Sequence, residues 1–153
     1  MKEIIVSLLL FSSMGAFAQK TNFSGNWVIN KSKIEFGQAP EWVLPKSLKV
    51  EQQSERIVVS RTNIDQQLAE QSPIVDTLSF NGNPFQRAQS SGPIVTSTMH
   101  WLNDQSLTLT RKGSSTTIET WTLDDSGKTL VVNRSVEQSD GLKYTLKAFY
   151  DKQ

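Results

Sequence analysis

Few residues in this chain could do chemistry, and they are scattered. His100 is the only histidine, and it precedes Trp101 on a predicted strand. It is available as a general base, but the same placement suits a histidine that is simply hydrogen-bonded or exposed. One histidine and no cysteine leave no donor set for zinc. Serines are numerous, yet none stands in the strand–turn–helix setting of a nucleophile elbow, so no Ser-His-Asp triad is recognisable. Ser126-Gly127-Lys128 lacks the upstream glycine and the helix of a phosphate loop. Asp124 and Asp125 fall in a turn, where aspartate is favoured for local hydrogen bonds, and Asp76 forms no evident carboxylate pair with them. Glu119 shares a strand face with Trp121, so carboxylate work is conceivable there. An outward-facing Glu-x-Trp pair on a solvated strand has the same pattern. No catalytic residue, metal or cofactor is assigned.

The elements that must position these residues are strands. Apolar and polar residues alternate at a period of two in Phe23–Asn30, around Leu48 and Val50, around Ile57 and Val59, and around Leu107 and Leu109. The same holds for Leu130, Val132 and Val136, and for Leu142, Tyr144, Leu146, Ala148 and Tyr150. Turn sequences separate the runs: Asn81-Gly82-Asn83-Pro84, Asn103-Asp104, Lys112-Gly113, Asp125-Ser126-Gly127-Lys128 and Asp140-Gly141. Roughly 8–10 strands at such spacing predict an all-β, antiparallel up-and-down barrel. A sandwich has the same periodicity. Two segments break the alternation. Residues 31–46 read as a folded-over loop with a short helical turn, packing Phe36, Trp42 and Leu44. Residues 63–72 read as a polar loop or one exposed helical turn.

A barrel of this size can enclose one small, mainly apolar ligand. Alternation points Val59, Leu78, Phe80, Met99, Trp101, Leu109, Trp121, Tyr144 and Leu146 toward the core. Pocket candidates among them are Phe80, Met99, Trp101, Trp121 and Tyr144, with Arg61 to orient a carboxylate or phosphate. These residues could equally fill the barrel, and Arg61 could end its strand in water. Trp42 and Leu44 could lid the mouth, form a satellite core, or present a patch to a partner protein. The function expected is therefore ligand binding, with a filled structural or interaction module as the alternative and catalysis third.

The first eighteen residues read as an export signal. Ile4–Phe11 is apolar apart from Ser7, and Ala16-Phe17-Ala18 supplies a cleavage site that leaves Gln19 at the mature end. The run is shorter than the ~20 residues of a membrane span. The expectation is a signal peptide over 1–18, a single domain over 19–153, and a periplasmic or secreted monomer without a membrane anchor. Sixteen basic and fifteen acidic residues give a formal charge of +1, which offers no electrostatic case for nucleic acid. The Asn-x-Ser triplets at Asn22, Asn30 and Asn133 are taken as chance matches.

Phe23-Ser24-Gly25-Asn26-Trp27 resembles the F-x-G-x-W signature of the first strand in lipocalins and the wider calycin barrels. The resemblance implies that Gly25 lets the chain turn under the barrel floor and that Trp27 closes the floor. It also implies a late-strand arginine packed on the tryptophan, for which Arg134 is the candidate because it shares the inward face of Leu130, Val132 and Val136. Further stretches, "SGNWVINKSK", "MHWLNDQSLTLTR" and "IETWTLDDSGKTLVVNR", resemble a group of small exported bacterial lipocalin-like proteins. Asp125-Ser126-Gly127 and Asn81-Gly82-Asn83 depart from that group, which has tighter Asp-Gly turns. The likeness covers most of the mature chain and implies a fold, not a reaction.

Overall fold

The computed structural model describes residues 19–35, 39 and 41–153. The export signal over 1–18 and the packing of Phe36 lie outside the described residues. Ten strands occupy the alternating runs: β1 (Gly25–Ile29), β2 (Ser47–Gln52), β3 (Arg56–Thr62), β4 (Ile74–Ser79), β5 (Phe85–Arg87), β6 (Val95–Asn103), β7 (Ser106–Lys112), β8 (Ser115–Leu123), β9 (Thr129–Gln138) and β10 (Lys143–Lys152). All pairings are antiparallel. The sheet order is β4-β3-β2-β1-β10-β9-β8-β7-β6-β5. This is an up-and-down meander closed on itself by β1 against β10, which leaves one seam between β4 and β5. The result is a nearly closed barrel, with no helix long and apolar enough to cross a membrane among the described residues.

Local chemistry sets the turns. In the β8–β9 connection, Asp124 Oδ1 accepts from the backbone N–H groups of Lys128 and Thr129, and Gly127 adopts φ +68°. Asp140 Oδ1 accepts from Leu142 N–H in the β9–β10 turn. Leu142 therefore lies in the turn, half exposed, and is not part of the last strand's inward face. The 31–46 loop contains a 3-10 turn over Glu41–Val43 and buries Leu44, while Trp42 remains 42 % exposed. In the 63–72 loop, Asp65 Oδ1 accepts from the N–H groups of Gln67 and Ala69, and an Ile64–Glu70 bridge closes the base.

One end of the barrel is plugged by the first residues of the domain. Phe23 and Trp27 are fully buried there. Phe23 packs at 6.0 Å from the Trp101 ring and 6.4 Å from the Trp121 ring. Trp27 Nε1 donates to Phe23 O at 3.0 Å, so the indole N–H is satisfied inside its own strand entrance. Gly25 has φ +153°, and a Cβ there would stand 2.8 Å from Lys152 Cε. That lysine extends its ammonium over the Trp27 ring, 5.2 Å from the centroid. The glycine thus makes room for the cation that covers the tryptophan.

Arg134 does not partner Trp27. Trp27 pairs with Lys152 and Arg134 with Leu146, six residues apart along β10, or about 20 Å at ~3.3 Å per residue. Lys152 takes the place on the indole expected of the arginine. The inward orientation of Arg134 is as alternation implies, and its partners are described below. Trp27→Ala is expected to lower stability by roughly 3 kcal/mol or more, because the rigid floor cannot collapse onto the cavity. Urea unfolding followed by far-UV circular dichroism measures this, and a loss below about 1 kcal/mol would contradict a buried, floor-closing indole.

Candidate ligand site at the barrel mouth

Toward the end opposite Trp27, the inward faces change character. The inward side chains of β3 read Ile57, Val59, Arg61. On β7 they read Leu107, Leu109, Arg111, and on β9 Leu130, Val132, Arg134. In the antiparallel neighbours, Leu78 is followed toward the mouth by Asp76 on β4, and Trp121 by Glu119 on β8. The floor half is a packed apolar core and the mouth half is ionic. Register brings the charges together, since Glu119 faces Leu109 on one side and Arg134 on the other.

The ions form two linked groups. Asp76 is 1 % exposed and holds two guanidinium groups: Arg61 Nη1 donates to Oδ2 at 2.6 Å, and Arg87 Nε donates to Oδ1 at 3.0 Å. Glu119 is 4 % exposed and accepts from Arg111 Nη2 on Oε1 and from Trp121 Nε1 on Oε2 at 2.9 Å. Arg134 Nε lies 3.4 Å from Glu119 Oε1, and its Nη1 donates to the O of Val43, the last residue of the 3-10 turn. Tyr150 donates its hydroxyl to Pro45 O at 3.1 Å, tying the same loop to β10. Four of the chain's five arginines meet two carboxylates here, an excess of two positive charges. Arg61 Nη2 and Arg134 Nε are buried without a hydrogen-bond partner in the protein.

These charges reshape one another. Burial pushes the Glu119 carboxyl up, but Arg111, Arg134 and Arg61, with the Trp121 N–H, outweigh it and hold the pKa at about 2 instead of 4.5. Burial lowers the Arg111 guanidinium to about 9; Arg61 and Arg134 add to this, while Glu119 and Asp76 oppose it. It remains a cation at neutral pH. Burial, then Glu119, raises the Tyr150 phenol against the pull of the arginines, so it stays a protonated donor.

All four arginines line a cavity of about 180 Å³ at this mouth, together with Pro45, Asn63, Ile74, Gln89, Val95, Thr117 and the β7–β8 turn. Among the six sequence-based pocket candidates, Arg61 lines this cavity. It is 3 % exposed and paired, not solvated at a strand end. Met99 and Trp121 are fully buried in the core. Phe80 and Trp101 pack against that core with ring centroids 5.3 Å apart. Tyr144 borders a shallow groove with Thr116, Ile118 and Val136. Glu119 and Trp121 form an inward pair, which corrects the outward-facing alternative. His100 is exposed, and its backbone bridges to Asn81 across the seam. Among the described residues, no group of three or more His, Cys, Asp or Glu side chains is placed to hold a metal.

Asp76, Arg87, Arg111 and Arg134 were not visible as a set from spacing alone. The available signal was the repeated replacement of an apolar residue by a charge at the next inward position on five strands.

No protein-family model and no curated protein matches this chain. Solved structures do. A Schistosoma mansoni fatty acid binding protein in complex with arachidonic acid is 18 % identical, with a TM-score of 0.59 over 86 % of this chain and 96 % of that chain. A zebrafish ileal bile acid-binding protein complexed with cholic acid is 13 % identical, with a TM-score of 0.58 over 86 % of this chain and 98 % of that chain. Identities this low establish the fold alone. The likeness is one of barrel architecture and agrees with the expected all-β, antiparallel, lipocalin-like barrel.

Two outcomes follow from the ion network. A carboxyl held at about 2 in the folded state and titrating near 4.5 when unfolded contributes stability that is complete above about pH 4.5 and is lost as the pH falls toward 2. Glu119→Gln should flatten that acid limb in urea titrations between pH 5 and 2 and should lower neutral stability by about 3 kcal/mol, since Arg111 and Arg134 lose their counter-ion. An unchanged acid limb would contradict a charged, paired Glu119. Asp76→Asn removes the ion pair that spans the β4–β5 seam, so amide exchange in β4 and β5 should quicken by about tenfold or more while β8–β10 hold. Uniform exchange across the barrel would contradict a local clasp.

Proposed function

We propose that this chain is a binding protein that takes a small organic acid at the barrel mouth. The acid group rests on Arg61, Arg87, Arg111 and Arg134, and the body lies against Pro45, Ile74 and Val95. One observation carries this reading: a net-positive cluster, drawn out of water, keeps a buried guanidinium N–H on Arg61 without a protein partner. Such a group is costly unless an acceptor meets it. Arginine is suited to carboxylate and phosphate acceptors because its planar fork donates two parallel bonds. Two structures of similar fold hold arachidonic acid and cholic acid, each an apolar body with an acid group, which supports binding rather than catalysis.

The cavity volume limits the ligand. About 180 Å³ is below the ~300–1,000 Å³ of drug-sized pockets, and the apolar half of the barrel is occupied by Trp121, Met99, Leu107, Leu109 and their neighbours. The ligand is therefore compact, or inserts only its head. The signal-like residues 1–18 support export to the periplasm or exterior, with the domain working there as a monomer without nucleic acid. A second reading rests on Trp42, which is exposed in the loop whose Val43 carbonyl accepts from Arg134; it makes this loop a docking point for another protein.

Short organic anions, carboxylates and phosphate monoesters among them, are expected to raise the melting temperature of the protein. The effect should shrink in Arg87→Gln, which leaves Asp76 paired with Arg61. No response to any anion, together with no small acid released on denaturing natively purified protein, would overturn the binding reading. Loss of a captured partner on Trp42→Ala would then favour the second.

A further inference from the structure

We infer that the mouth site is built for a compact dianionic head of the phosphate-monoester type and discriminates against a single carboxylate. This rests on the acid-binding reading above and specifies its ligand class. Arg61, Arg87, Arg111 and Arg134 carry four positive charges, and Asp76 and Glu119 return two. A monocarboxylate would leave one positive charge uncompensated in a desolvated site, whereas a phosphate monoester carries about −1.5 to −2 near neutral pH. At the lower effective dielectric of such a mouth, each uncompensated charge matters more than it would in water.

Geometry points the same way. The two resident carboxylates already show what a planar acceptor can do here. Asp76 uses one oxygen for Arg61 and the other for Arg87. Glu119 uses one for Arg111 and the other for the Trp121 indole. Each carboxylate thus bonds two donors. The four guanidinium groups reach the cavity from β3, β5, β7 and β9, so they converge from around the barrel wall and not from one plane. A tetrahedral head presents three terminal oxygens in different directions and can meet donors from several strands at once. Thr117 in the same lining adds a hydroxyl. The apolar part of the lining, Ile74, Val95 and Pro45, gives a short apolar substituent on the fourth oxygen a surface to rest on.

The pressure on Arg111 agrees with this. Burial and the like charges of Arg61 and Arg134 lower its pKa to about 9, a cost that an added dianion would relieve.

The experiment is isothermal titration of the full chain with four probes: butyl phosphate, butyl sulfate, pentanoate and inorganic phosphate. Butyl sulfate keeps the tetrahedral head with a single charge, and pentanoate keeps the chain with a planar head. Butyl phosphate should bind at least about tenfold more tightly than either. Arg87→Gln, at a side chain that is 27 % exposed, should weaken butyl phosphate by about tenfold or more while the protein still melts cooperatively. Inorganic phosphate separates the sources: a much weaker fit than butyl phosphate assigns the site to an organic monoester, and equal binding assigns it to the free ion. Pentanoate or butyl sulfate binding as tightly as butyl phosphate would overturn the dianion preference and leave the acid-binding reading intact. Failure of all four to bind would overturn both.

Discussion

The structure depends on how it keeps six charged side chains out of water. Arg61, Asp76, Arg87, Arg111, Glu119 and Arg134 occupy inward positions that would hold aliphatic residues in a fully packed barrel. Burying such groups is tolerable only when each finds a counter-ion and hydrogen bonds, and the network meets that condition on the carboxylate side. Asp76 and Glu119 use both oxygens. The arginine side is not fully met, and that asymmetry turns an internal salt-bridge cluster into a candidate site. The apolar floor, with Phe23, Trp27 and the rows of Leu, Val and Met above them, supplies the burial that offsets the cost.

The same network also completes the fold. Backbone pairing runs continuously from β4 around through β1 and β10 to β5 and stops at the seam. At the floor end, the Asn81–His100 bridge and the Phe80–Trp101 contact join the two sides. Toward the mouth, Arg87 on β5 reaches Asp76 on β4. Asp76 therefore holds two of the arginines that line the cavity and clasps the barrel at the same time.

Much of the fold was legible in the sequence because its signals are local. Two-residue alternation marked the strands, and turn residues such as Asp124-Asp125-Ser126-Gly127 and Asp140-Gly141 marked the connections. The placement of Gly25 and Trp27 at the barrel floor came from the resemblance of Phe23-Ser24-Gly25-Asn26-Trp27 to the first-strand signature of lipocalins and calycin barrels, and the indole is indeed buried there. The site was less legible, for a physical reason. A single inward arginine or glutamate, judged alone, is improbable, so Arg61 was also given a solvated place and Glu119 an outward one. Only the assembled sheet shows that the charges meet: register pairs Glu119 with Arg134 and puts Asp76 opposite Val59, within reach of Arg61, while Arg87 reaches Asp76 across the seam. Register is a property of the assembled sheet and not of any one segment. The partner of Trp27 was missed in the same way: Lys152 lies beside it across the first-to-last strand closure, a contact invisible in either strand.

Arginine side-chain NMR reports on the buried cationic cluster itself. Arg56 is exposed at the start of β3 and serves as an internal reference for the other four. The Nε–H resonances of Arg61, Arg87, Arg111 and Arg134 should be separately resolved, exchange with water more slowly than that of Arg56, and shift together when butyl phosphate is added, with Arg56 unmoved. Five arginine signals that coincide, exchange at one rapid rate and do not respond would show that no buried cationic cluster exists.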